Sequence, residues 1–466
     1  MIRTIVKNFV ALFTGEVIAR VSHFISVIYL ARMLGAAGFG AINFVLAIIS
    51  YFLIVTNLGL NSLGIREISR KRDVVEIAGT VISIRLCLAL VFFIIVVLSS
   101  LFLGRTQTVY LMIAYAVTLF PYALSLDWVF TGIEKMEYNA YGKTVNALIY
   151  LTFIILLIKG SQDILKVAFI TIFADAVTAV FYYISYHRRF GPLRLHLDLK
   201  SWLALLAVSM QLSVSSAMII IYTNFGTVAL GLMRDERTVG IYGAASKLVL
   251  FFFALSTVIV TVVFPVMSRL HRESRERLET FMGYCMKATL LLGLPIGVGG
   301  AILGSRIIGL VYGPSYAEAG PLFQIMCWYA AINMTSYIAG YSLVACDKQA
   351  AYLKILIIGT LFNALFNLFA TPFMGYYAPS IALVLTEAMI LLGSLYAIER
   401  VAPFSLFTIT AKPLIASAVM GGMLWILFRC NILFLIPAAI LLYFLVLYMI
   451  GGITKNDILK IRKAFV

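Results

Sequence analysis

Apolar runs long enough to cross a bilayer recur along this chain from residue 9 to residue 450, with short polar breaks between them. A bilayer core about 30 Å thick needs about 20 apolar residues of helix. Inside it every backbone N–H and C=O must be satisfied within the protein, which leaves helices and closed barrels. Barrel strands are only about 10 residues long and alternate in polarity; these runs are longer and do not alternate. The expectation is an all-α polytopic membrane protein. About fourteen transmembrane helices are predicted, at 9–31, 39–61, 79–103, 108–131, 139–158, 164–186, 202–224, 239–266, 281–304, 321–345, 350–371, 376–397, 411–428 and 432–450. Composition agrees, with 62% of residues hydrophobic and 12% charged, against about half and a quarter in soluble domains.

The net charge of +16 raises nucleic acid as a partner, but its distribution argues for topology instead. Lys and Arg crowd the breaks on one side, at Arg66 to Arg72, Arg188 to Lys200, Arg269 to Arg277 and Lys455 to Lys463. The other side carries far fewer, among them Arg32, Arg105, Lys159 and Arg306. By the positive-inside rule both termini are expected in the cytoplasm, in a cell (inner) membrane. The basic side would then meet anionic headgroups, and no nucleic acid is expected. The first apolar run lacks an A-x-A cleavage site and reads as a retained span. Cys87, Cys285, Cys327, Cys346 and Cys430 form no CxxC or Cys/His metal spacing, so no disulfide framework and no metal site are predicted. Neither a P-loop nor a nucleophile elbow is present, so no cofactor and no enzymatic activity are expected.

The chain also matches itself. YLARMLGAAGFGAINF (29–44) lies over ALGLMRDERTVGIYGA (229–244), aligning Leu30 with Leu230, Met33 with Met233 and Gly40 with Gly240. Further on, Glu134-Lys135 aligns with Asp347-Lys348, and Asp175 with Glu387. Two pseudo-symmetric six-helix lobes are predicted, at 1–190 and 202–400, joined by a cytoplasmic linker at 191–201. Two additional helices and a basic cytoplasmic tail follow at 401–466. An even number of spans separates the copies, so their pseudo-axis runs along the membrane normal, a transporter arrangement. Pro121, Pro265 and Pro295 fall inside spans, as hinges or packing kinks. Gly293, Gly297, Gly300 and Gly304 suggest a close helix contact.

The segments ARMLGAAGFGAINF, NLGLNSLGIREISRKRD and LDWVFTGIEKMEYNA, with VGIYGAASKL, FPVMSRL and IIGLVYGPSYAEAG in the second lobe, resemble the Wzx-type polysaccharide and O-antigen repeat-unit flippases. These belong to the multidrug/oligosaccharidyl-lipid/polysaccharide exporter superfamily. The resemblance implies a flippase that moves polyprenyl-(pyro)phosphate-linked oligosaccharide from the cytoplasmic to the outer leaflet by alternating access. Its partners would be that substrate, membrane lipids and glycan-assembly proteins. Members of the family often carry an Asp in the seventh span; Gly226 stands in that place here. Two alternatives remain: a cation-coupled multidrug exporter of the same superfamily, and a non-transporting membrane scaffold.

Ionisable residues inside a bilayer are costly and mark cavities or partners. Glu16, Arg20 and His23 in TGEVIARVSHF (14–24) are spaced i, i+4 and i+7, so they share an arc of about 60° of one helix face. That face either lines a central cavity or packs as a self-satisfied pair against another helix. In the first case Arg20 would meet a phosphate, which suits its planar fork. The candidates for substrate binding are Arg20, Arg85, Lys247 and Lys287. Those for a coupling ion (H+ or Na+) or counter-ion are Glu16, His23, Asp175 and Glu387. This balance of deep cations favours an anionic substrate. Lys143 and Lys354 lie near the cytoplasmic boundary and are expected to snorkel to the headgroups.

Overall fold

In a computed structural model the structure describes residues 2–70, 73–103, 106–399 and 406–452, with side chains from Gly15 onward except at 103, 211, 212, 254 and 406–408. The predicted basic tail beyond residue 452, and the charges at Lys71, Arg72, Arg105 and Arg400, lie outside the described residues. Among the described residues there is no strand, and sixteen α-helices follow one another. They are α1 (Ile2–Asn57), α2 (Leu60–Ser69), α3 (Val74–Ser100), α4 (Thr106–Ala116), α5 (Leu119–Leu124), α6 (Asp127–Gly132), α7 (Glu137–Leu157) and α8 (Ile164–Phe190), then α9 (Leu199–Met233), α10 (Glu236–Glu273), α11 (Arg275–Tyr312), α12 (Ala319–Ala345), α13 (Gln349–Met374), α14 (Tyr377–Glu399), α15 (Leu406–Ile426) and α16 (Ile432–Met449).

Among the described residues twelve stretches are long and apolar enough to cross a membrane. The first of them, Gly15–Ser69, holds two of the predicted spans, because Gly35 breaks α1 with a left-handed φ of 67°. Glycine adopts that conformation without a Cβ clash. The 27-residue α12 coincides with the predicted span at 321–345. The protein is thus an all-α multi-pass membrane protein with about fourteen spans. Side chains fix several helix starts: Asp73 accepts from Val75 N–H, Asp235 from Thr238 N–H and Asn431 from Leu433 N–H, at 2.7–2.9 Å. Each satisfies a donor that the first turn leaves open.

The chain forms two compact units, Met1–Asn224 and Phe225–Val466. The break falls inside α9, beyond the 191–201 linker where the lobe boundary is expected. Packing accounts for the difference. Trp202, Leu205 and Leu206 of α9 cover the buried core of Leu60, Ile82, Trp128, Phe130 and Tyr186. The Tyr51 hydroxyl donates to the Ile221 carbonyl at 3.2 Å. The linker itself is strapped across α3. His196 N–H donates to Ser83 Oγ at 3.0 Å, and Trp202 Nε1 donates to the His196 carbonyl at 2.9 Å. Gly79 makes this approach possible: a Cβ there would sit 1.9 Å from the Arg194 carbonyl oxygen. At the end of the strap the Ser201 hydroxyl and the Lys200 N–H donate to Asp198, holding its carboxyl below the usual carboxylate range.

In the second unit α11 lies directly against α12. A Cβ on Gly293 would be 2.7 Å from the Ala331 carbonyl oxygen, and one on Gly300 2.2 Å from Cys327 Sγ, so the small residues serve the close contact expected of them. The two added helices dock on α11. Leu303, Met420, Leu435 and Tyr443 form their core, and the Tyr443 hydroxyl donates to the Leu291 carbonyl at 2.8 Å. Pro265 and Pro295 lie within unbroken α10 and α11, whereas Pro121 sits beside a break.

The internal repeat is visible in the backbone. Glu134 and Asp347, aligned by sequence, are both left-handed, with φ of 59° and 58°. In each copy the following lysine N–H reaches back five residues: Lys135 to the Phe130 carbonyl and Lys348 to the Leu343 carbonyl, both at 2.8 Å. This is the hydrogen bond that closes a Schellman-type helix end.

Candidate functional site

Three helices of the first unit bring polar stripes together. On α1, Glu16, Arg20 and His23 share a face. On α7, Lys143, Asn146 and Tyr150 recur at i, i+3 and i+7, and on α8 Thr171, Asp175, Thr178 and Tyr182 recur at i, i+4, i+7 and i+11. Both spacings hold side chains on one helix face.

At the outer end of these stripes Glu16 Oε1 lies 2.8 Å from Arg20 Nη2, and Glu16 Oε2 lies 2.9 Å from Lys143 Nζ. One carboxylate therefore sits between two cations, leaving a surplus of one positive charge. The three side chains keep 34%, 40% and 58% of their exposure, so the surplus faces an accessible space. Arg20 Nε is buried and finds no acceptor among the described residues. The planar guanidinium and the ammonium together are suited to an oxyanion such as phosphate. The His23 ring stacks on Tyr150 with centroids 6.2 Å apart.

Behind this cluster lies a cavity of about 450 Å³, lined by His23, Tyr115, Lys143, Asn146, Asp175 and Thr178 among others. The Asn146 amide donates to Asp175 Oδ1 at 2.9 Å and to Thr178 Oγ1 at 3.2 Å. Such volumes are typical of small-molecule sites, which run from about 300 to 1,000 Å³. Among the described residues no group of three or more side chains suited to holding a metal ion occurs.

The sequence candidates separate. Glu16, Arg20, His23 and Asp175 come together here. Arg85 does not, and its assignment to substrate binding is corrected. Its side chain has 0% exposure, donates to Asn61 Oδ1 at 3.1 Å, to the Ser125 carbonyl at 3.2 Å and to the Tyr122 carbonyl, and stacks over the Tyr122 ring at 4.9 Å. The cause is the double interruption of the fourth span into α4, α5 and α6. At its last break the Tyr122 carbonyl takes the Ser125 N–H, and Arg85 adds a second donor to it and supplies one to the Ser125 carbonyl. Lys247, Lys287 and Glu387 belong to the second unit, where the first two are half-buried and Glu387 is 2% exposed. Lys247 has no hydrogen-bond or ion-pair partner among the described residues. Lys143, expected to snorkel, pairs instead with Glu16. Sequence reasoning missed it as a site residue, together with Asn146 and Thr178. The available signal was the i, i+3, i+7 stripe on α7.

Comparison with known proteins bears on the whole chain. The family model described as polysaccharide biosynthesis protein matches residues 5–271. A protein of Shigella dysenteriae named as an O-antigen transporter is 24% identical over 402 residues, covering 84% of this chain and 100% of that protein. One of Haloferax volcanii, named as a low-salt glycan biosynthesis flippase, Agl15, is 20% identical over 388 residues, covering 82% of this chain and 81% of its own. Among solved structures, the lipid II flippase MurJ in an inward closed conformation has a TM-score of 0.79 at 14% identity, covering 97% of this chain and 100% of that one. An inward-facing multidrug resistance MATE transporter has a TM-score of 0.66 at 15% identity, covering 82% and 94%. At these identities the structures establish the fold alone.

Proposed function

The chain belongs to the polysaccharide biosynthesis protein family, and from that membership we propose that it is a flippase for lipid-linked glycan. The substrate is a polyprenyl-(pyro)phosphate-linked oligosaccharide, moved from the cytoplasmic to the outer leaflet of the cell membrane by alternating access. Both termini stand in the cytoplasm. The relatives named for O-antigen transport and glycan flipping support this reading.

The observation that carries it is the Glu16–Arg20–Lys143 cluster. It presents surplus positive charge on an accessible face of the first unit. A phosphate head group would be held there by charge-assisted hydrogen bonds, while the polyprenyl chain stays in lipid. A multidrug resistance transporter shares the fold, but a net positive cluster repels cationic cargo.

The test uses sealed proteoliposomes and a labelled polyprenyl diphosphate glycan, with an impermeant reagent reporting the sugar's side. Transbilayer movement faster than in protein-free vesicles is expected. Equal rates with and without protein would overturn the proposal. Intact glycan export by Arg20→Ala in cells, with no movement in vesicles, would favour a scaffold.

A further inference from the structure

We propose that the cavity behind the charged cluster is a saccharide subsite, which holds the sugar bonded to the phosphate. This rests on the flippase reading and deepens it.

The first argument is donor and acceptor arithmetic. The Asn146 amide nitrogen is committed to Asp175 Oδ1 and Thr178 Oγ1, and the Thr178 hydroxyl donates to the Ala174 carbonyl at 2.7 Å. Asn146 Oδ1 and Asp175 Oδ2 make no hydrogen bond among the described residues, yet both residues line the cavity. The space is therefore rich in free acceptors. Beside those two acceptors a phosphate, itself an acceptor, is disfavoured, whereas a polyol supplies matching O–H donors. An adjacent carboxylate and amide suit neighbouring hydroxyls of a pyranose ring.

The second argument is shape. Tyr115, Tyr150 and Tyr182 line the same cavity, and their rings offer flat apolar walls to the C–H face of a sugar. A bare inorganic cation fits poorly. Hard cations such as calcium take about six to eight oxygen ligands at close range, and here two acceptors stand free in about 450 Å³.

The third argument is order along one helix. Lys143 and Asn146 are one turn apart on α7, about 5 Å along its axis. Lys143 is paired in the charged cluster, and Asn146 contributes the free acceptor. A glycosyl phosphate has the same sequence of groups, with its anion directly bonded to its first ring. The cluster reads the phosphate, and the cavity reads the sugar attached to it.

The experiment measures binding to the full-length protein in nanodiscs by native mass spectrometry. The probes are bare polyprenyl diphosphate and the same lipid bearing glucose, galactose, N-acetylglucosamine or N-acetylgalactosamine. The wild type is expected to bind at least one glycosylated probe about tenfold more tightly than the bare lipid. Asn146→Leu and Asp175→Asn are expected to erase that preference while leaving bare-lipid affinity within about twofold. Arg20→Ala should weaken every probe alike. Thr178→Val, close in shape, is the second variant should Asn146→Leu fail to fold; it is expected to reduce the preference. The proposal is overturned if no sugar improves binding, or if the preference survives the cavity substitutions. It is likewise overturned if sodium alone, and no sugar, raises thermal stability in an Asp175-dependent way. Equal binding of all probes with flipping intact removes the subsite alone; no binding and no flipping removes the flippase reading as well.

Discussion

Lys143 Nζ stands 2.9 Å from Glu16 Oε2, joining two residues 127 positions apart in the chain. The contact links α7 to the first half of α1 and gathers the charge of both helices at one end of the cavity. Exposed ion pairs contribute only about 0.2–1 kcal/mol to stability. The value of this one lies in where it holds the cations.

Substitution within the cluster should therefore separate function from folding. Arg20→Ala with Glu16 intact removes the surplus positive charge. Glycan transport is expected to fall about tenfold or more, a barrier change of about 1.4 kcal/mol. The unfolding free energy should change by less than about 1 kcal/mol. Transport at the wild-type rate would mark the pair as packing.

Arg85 predicts the opposite pattern. Arg85→Met leaves the Ser125 carbonyl without its donor, at about 1–3 kcal/mol for an unsatisfied buried group, while the Tyr122 carbonyl keeps the Ser125 N–H. A large drop in thermal stability of the purified protein is expected. Arg85→Lys should not rescue it, because an ammonium lacks the planar fork that reaches several acceptors at once. A variant as stable as the wild type would show that the broken span needs no pin.

The paired left-handed residues make a test of the repeat itself. Glu134→Gly and Asp347→Gly each relieve an L-residue of a conformation that costs about 1–2 kcal/mol. Each also adds backbone freedom to the unfolded chain. Both variants are expected to be neutral or up to about 1 kcal/mol more stable, and to shift in the same direction. Destabilisation of one with stabilisation of the other, read by thermal unfolding, would break the equivalence of the two turns.

Gly79→Ala places a methyl where the Arg194 carbonyl now lies. Backbone cannot yield as a flexible side chain can, so the strap should lift. Faster proteolytic cleavage within residues 191–198 is expected, with little change in cleavage elsewhere. An unchanged digestion pattern would show that α3 shifts instead.

Hydropathy alone placed the spans, because lipid removes the choice that water leaves to a backbone. The face shared by Glu16, Arg20 and His23 was legible for a similar reason, since helix periodicity is a local property. The partnership of Glu16 with Lys143 was not, because it depends on how distant helices pack. Arg85 was misread because apolar windows do not see that the fourth span is interrupted at Ser125-Leu126. The carbonyls at that interruption, with the Asn61 side chain, take up the guanidinium.

The join between the first two spans has a practical consequence. At Gly35 one left-handed residue does the work of a loop, and helix runs on either side of it. No slack chain is present there to accept an epitope or a reporter without disturbing both spans. Topology mapping by inserted tags is better aimed at Gly191, ahead of the residues that pack on α3, where nothing lies within 4 Å of an added Cβ.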